Sequence, residues 1–160
     1  MITFLSLCTA LGAGLMAGVF FAFSTFIMNA LERLPPAQGI VAMQSINVAA
    51  INAWFMGLFL GTSILCSLSA VSGLRHLDEP GAGFLVVGGL LYLIGAFGVT
   101  MAFNVPRNDA LAAVRSESPE AGIFWVRYVS EWTAWNHVRG SAALVAAVLL
   151  LLALAKRGLP

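Results

Sequence analysis

Charge is scarce in this 160-residue sequence: 9 % of residues are Asp, Glu, Lys or Arg, 60 % are hydrophobic, and mean hydropathy is +0.93. Soluble domains carry about a quarter charged residues, so the composition excludes a water-soluble globule and points to an integral membrane protein. The formal net charge of +1 provides no basic surface for phosphate groups, which argues against a nucleic-acid partner. Cysteine is equally rare. Cys8 and Cys66 stand in no CxxC or metal spacing and read as small buried apolar residues. Two histidines, His76 and His137, are too few for a haem or non-haem metal site, so no metal is expected. No glycine-rich turn joins a strand to a helix, as a flavin or nicotinamide site would require.

What is present is long uncharged sequence. Met1 to Leu31, Leu34 to Leu74, Pro80 to Pro106 and Gly140 to Ala155 contain no charge, and a spanning helix needs about 20 apolar residues. The last run reaches that length only by including Trp132 to Arg139. Helices are expected at about 4–28, 51–74, 82–103 and 134–155, giving an all-α, four-span membrane bundle as a single domain over 1–160. The first run lacks a basic n-region and is about twice a signal peptide's apolar length, so it reads as a permanent span. A short surface helix is expected in each long connection, 29–50 and 104–133. In the second it should run about 117–133, with Glu117, Glu120, Arg127 and Glu131 on its wet face and Phe124, Tyr128 and Trp132 against membrane or protein.

An even number of spans puts both termini and the 75–81 turn on one face and both long connections on the other. The turn residues Arg75, His76, Asp78 and Glu79 read as a solvated connection. Arg75, Lys156 and Arg157 oppose Arg33, Arg107, Arg115, Arg127 and Arg139, so the positive-inside count is nearly balanced. Cytoplasmic termini are expected because Lys156 and Arg157 have no other evident role in the sequence; the membrane would be the cytoplasmic one if the protein is bacterial. Small residues recur every fourth position, Ala10, Gly14, Gly18 and Ala22 in the first span and Ala53, Gly57 and Gly61 in the second, and such stripes let helices approach closely in lipid.

Two polar clusters, "NVPRNDAL" from Asn104 and "TAWNHVRG" from Thr133, interrupt this apolar sequence. Sliding the chain so that Ala22-Phe23 falls on Ala102-Phe103 brings Asn29-Ala30-Leu31 onto Asp109-Ala110-Leu111 and, one step on, Ala53-Trp54 onto Ala134-Trp135. If this is a duplication, the halves are parallel two-span hairpins, and polar groups entered the second. There Asn104 to Asn108 replace Ser24 to Met28, and Asn136-His137 replace Phe55-Met56. Pro106 is expected to stop the third span, with Asn108 or Asp109 capping a helix over Ala110 to Val114. Asn104, Arg107, Asn108, Asn136, His137 and Arg139 can then converge at one membrane boundary, with Arg75 at the other. At roughly 100° per residue, Trp132, Trp135, Asn136 and Arg139 share one helical stripe, and His137 shares another with Thr133 and Ser141. Taken singly these residues are ordinary interface anchors and helix ends. Together, with two ionisable groups opening an uncharged span, they mark a cavity, because such groups are costly in lipid.

The stretches "GVFFAFSTFIMNAL", "LPPAQGIVAMQSIN", "NVPRNDAL" and "WTAWNHVRG", in that order, resemble the anthrone oxygenase (DUF1772) family of small membrane proteins across nearly the whole chain. Asn29 and Ala53 stand where that family commonly has proline. The resemblance implies oxidation of an anthrone, or a related phenolic polyketide, by molecular oxygen without a cofactor. An anthrone has a weakly acidic carbon whose anion reduces oxygen directly, so a base, an anion stabiliser and an apolar pocket suffice. On that implication His137 is the candidate base and Arg139 or Arg107 the oxyanion partner, while Asn104, Asn108 and Asn136 orient the anion and Trp132 and Trp135 stack on a flat ring. The expected partners are the bilayer, a lipophilic aromatic substrate and O2, with room for a homo-oligomer. A scaffold or binding subunit, or a carrier of a lipophilic molecule, would want the same apolar bundle with one polar mouth.

Overall fold

The computed structural model describes residues 2–157; Met1 and Gly158 to Pro160, part of the expected 1–160 domain, lie outside the described residues. In lipid the backbone must satisfy its own N–H and C=O groups, and long apolar runs do so as helices. Five helices form, and no strand occurs among the described residues. We label them α1 (Thr3–Glu32), α2 (Pro36–Ala49), α3 (Ala53–Arg75), α4 (Ala82–Ala112) and α5 (Ala121–Arg157); all but α2 are long and apolar enough to cross a membrane. The expected all-α four-helix membrane bundle is therefore the observed fold. Each span packs on its neighbour in the chain, and α5 closes the ring against α1.

Local chemistry sets the joints. Asn52 caps α3, its side-chain oxygen accepting from Trp54 N and Phe55 N at 3.0 Å. The turn into α4 uses Gly81 at φ +82°, where any Cβ would also lie 2.7 Å from the Ala153 carbonyl oxygen; only glycine meets both conditions. Arg157 Nε donates to Pro80 O at 3.1 Å, and its Nη2 pairs with Glu79 at 3.2 Å. This basic residue therefore staples the end of α5 to the turn, a role the sequence did not reveal.

Three expectations are corrected. Pro106 does not end the third span: α4 continues through it to Ala112. Wide π turns at Tyr92–Gly98 and Thr100–Asn104 precede it, and Val105 N–H donates five residues back to Thr100 O. These turns loosen the ladder where the proline ring and missing N–H would otherwise break it. Secondly, the surface helix expected at 117–133 is not separate, because with no proline from Ala121 to Arg157 it runs unbroken into the last span. Thirdly, a Cβ added at Gly14, Gly18, Gly57 or Gly61 would meet nothing within 4 Å, whereas at Gly95 it would meet Ala142 Cβ at 2.5 Å. A four-residue repeat drifts by roughly 40° per step, so a stripe that begins at buried Ala10 leaves the interface at Gly14.

Lengths then organise the molecule. The 37 residues of α5 measure about 55 Å against a hydrocarbon layer of about 30 Å. One span length counted back from Arg157 ends near Trp135, so the first dozen or so residues of α5 project beyond the membrane. There they join the far ends of α1 and α4, with α2 laid across them, around a second apolar core that includes Met28, Ile40, Met43, Leu111, Trp125 and Tyr128. Gln44 of α2 donates to the carbonyls of Leu111 and Val114 at 2.9 and 3.1 Å, tying α2 to the end of α4.

Candidate functional site

A buried polar layer separates the membrane core from this cap. Its centre is Arg139, only 7 % exposed, about one helical turn inside the boundary near Trp135. The guanidinium lies between two rings, 4.4 Å from the centroid of Phe20 and 4.8 Å from that of Trp132. Nε donates to Asn136 Oδ1 at 2.8 Å, and Nη1 donates to Thr100 Oγ1 at 3.3 Å. No carboxylate pairs with it among the described residues. A charge at this depth costs several kcal/mol, and two cation–π contacts, worth up to about 2 kcal/mol each when desolvated, offset much of that.

Asn136 is fully buried, and its Nδ2 donates to Phe20 O and Ser24 Oγ, both at 2.6 Å. Arg139 can only donate and the Phe20 carbonyl can only accept, so the amide orientation is fixed. Asn104, also fully buried, donates through Nδ2 to Trp132 O at 3.2 Å while its Oδ1 has no partner. Asn108 Oδ1 accepts from Tyr128 Oη at 2.9 Å and Trp132 Nε1 at 2.7 Å, tying the cap to the layer.

Of the residues singled out in the sequence, the inward stripe is therefore Trp132, Asn136 and Arg139, joined by Asn104 and Asn108. Arg107 is engaged elsewhere, its Nη2 2.9 Å from Glu131, its Nε donating to the same carboxylate and its Nη1 to Phe103 O. Trp135 lies stacked on Phe103, 3.6 Å between centroids. His137 does not join them. It is exposed and lines a groove of about 450 Å³ between α1 and α5, with Gly14, Gly18, Ser24, Thr25 and Ser141 among the other walls. Gly14 and Gly18, where an added Cβ would meet nothing within 4 Å, line this groove. Ser24 belongs to both places, lining the groove while accepting from Asn136. Phe20, Ser24 and Thr100 were missed in the sequence, because a lone hydroxyl or ring in an apolar helix carries no signal; Ser24 had stood only as the less polar counterpart of Asn104. No group of three or more His, Cys, Asp or Glu side chains comes together among the described residues.

A family model described as anthrone oxygenase matches residues 48–149. The match takes in Asn104, Asn108, Trp132, Asn136, His137 and Arg139 and begins after α1 and most of α2. No curated protein and no solved structure matches the chain. With nearly two thirds of its length covered, including both polar clusters, this four-span membrane protein belongs to the anthrone oxygenase family.

Proposed function

We propose that the chain is an enzyme that uses O2, with no cofactor, to oxygenate an anthrone or a related phenolic polyketide in the groove between α1 and α5. The observation that carries this reading is the placing of His137 in that groove, in a member of this family. Ligand pockets are usually about 300–1,000 Å³, and a groove of about 450 Å³ suits a flat tricyclic molecule. A groove on the outer surface of a membrane bundle admits such a molecule sideways from lipid. His137 acts as the general base and takes a proton from the activated methylene. The resulting anion transfers electrons to O2. One oxygen atom ends in the new ketone and the other in water, and the methylene supplies all four electrons, so no external reductant is needed. Asn136, hydrogen-bonded to Ser24, and Arg139 back this wall from inside the bundle; Trp132 holds Arg139 in place, and Asn104 and Asn108 hold Trp132.

Oxygen uptake with anthrone by the purified protein in lipid nanodiscs tests the reading. His137→Gln should preserve folding and lower turnover by roughly 10²-fold, the usual share of general base catalysis. Partial rescue at alkaline pH is expected, because the medium then deprotonates the substrate unaided. If wild-type protein consumes no oxygen with any anthrone or related phenol, the enzyme reading fails and a carrier of lipophilic molecules takes its place.

A further inference from the structure

The groove and the buried layer meet at one atom, Ser24 Oγ. A serine hydroxyl accepts up to two hydrogen bonds and donates one. Ser24 Oγ accepts from Asn136 Nδ2 at 2.6 Å, and its own O–H has no acceptor among the described residues. Neighbouring Thr25 shows the usual alternative, donating to the carbonyl four residues back, Phe21 O, at 2.7 Å. Ser24 makes no such bond to the corresponding carbonyl, Phe20 O, which accepts from the Asn136 amide instead. With its oxygen held by Asn136 and no protein acceptor for its proton among the described residues, Ser24 can turn its O–H to the wall of the groove.

The chain of donors has one direction. Arg139 Nε donates to Asn136 Oδ1 at 2.8 Å, and Asn136 Nδ2 in turn donates to Ser24 Oγ. Each bond polarises the next in a low-dielectric interior, so a positive charge that never reaches the groove strengthens the one donor that does. Phe20, whose ring lies against Arg139, holds the cation behind the wall. Placing the guanidinium itself in the groove would expose it to lipid, whereas a neutral hydroxyl costs far less there.

We propose that Ser24 is the hydrogen-bond donor that holds the anionic oxygen of a deprotonated aromatic enol or phenol in the groove, polarised through Asn136 by the buried charge of Arg139. The inference rests on the groove being the substrate site. His137 receives the proton, the ring oxygen takes the negative charge, and Ser24 meets that oxygen; Asn136 and Arg139 are positioning residues that do not touch the ligand. The Ser24 hydroxyl is thus the oxyanion partner for which the sequence offered Arg139 or Arg107.

Alizarin, a flat tricyclic phenol whose neutral and ionised forms differ in colour, tests this without turnover. Titrated in nanodiscs, alizarin bound to wild-type protein should ionise at lower pH than in protein-free nanodiscs. Ser24→Ala should move that midpoint back by about one pH unit, the scale of one hydrogen bond to a charged group. Ser24→Thr, which restores a hydroxyl, should recover it. Arg139→Gln should reverse part of the shift with Ser24 still present. The proposal is overturned if bound alizarin ionises alike in wild type and Ser24→Ala, or if wild type causes no shift. The enzyme reading fails separately, if the Ser24-dependent shift is present but no anthrone drives oxygen uptake.

Discussion

The two apolar cores of this protein are built from different residues. Among the described residues, Ala10, Ala13, Ala17, Ala96, Ala143, Ala146, Ala147 and Ala153 are eight of the fifteen buried members of the membrane bundle's core, whereas in the cap Ala121 is the single alanine among ten, beside Trp125, Tyr128, Trp132, Met28 and Met43. The difference follows from the solvent. Inside a bilayer a large side chain gains nothing by leaving lipid for protein, so helices associate where small residues let backbones approach. Outside it, burial from water is favourable by about 25 cal/mol per Å², and large side chains bring the most area. Core composition thus marks where the membrane ends, and the polar layer of Asn104, Asn136 and Arg139 lies at that seam.

The largest effect expected is in the cap. Trp125 is 2 % exposed, and Trp125→Ala should destabilise this region by about 3–5 kcal/mol. Amide hydrogen exchange should then rise across α2 while α3 stays protected. Equal loss of protection in both would mean that the cap and bundle unfold as one unit, which would break the comparison. A smaller effect is expected in the bundle. Ala146 is fully buried, and Ala146→Leu should lower resistance to unfolding in detergent by about 1–3 kcal/mol, because overpacking separates the helices. A more stable Ala146→Leu protein would show that area, not close approach, holds the spans together. The smallest effect belongs to the outer rim, where Arg107 and Glu131 are 26 % and 46 % exposed. Glu131→Gln should cost less than about 1 kcal/mol and less still in high salt. A loss as large as that of Trp125→Ala would place this pair inside the cap core.

The same contrast explains what was legible in the sequence. The projecting part of α5 was read as a helix with Tyr128 and Trp132 turned towards protein or membrane, because burial from water leaves a periodic pattern. Gly14 and Gly18 were assigned to helix packing and line the groove instead, because a span apolar on every side carries no periodicity that tells lipid from protein. Pro106 misled for a different reason: a proline's usual effect assumes a regular ladder, and the π turns before it had no signature in residue type.

The amino-acid sequence by itself determined four spans, two polar clusters on one face, and the division of the last helix into a stripe bearing Asn136 and Arg139 and another bearing His137. Length, hydropathy and the 3.6-residue period suffice for these, since they are properties of one segment at a time. Tertiary structure decided which stripe faces inward, that Arg107 is taken up by Glu131, and that Phe20 and Ser24 of α1 complete the surroundings of Asn136 more than a hundred residues away in the chain. Those contacts depend on how α1 and α5 are rotated against each other. That rotation is set by the packing of small residues and by a handful of buried hydrogen bonds, neither of which a hydrophobic pattern records.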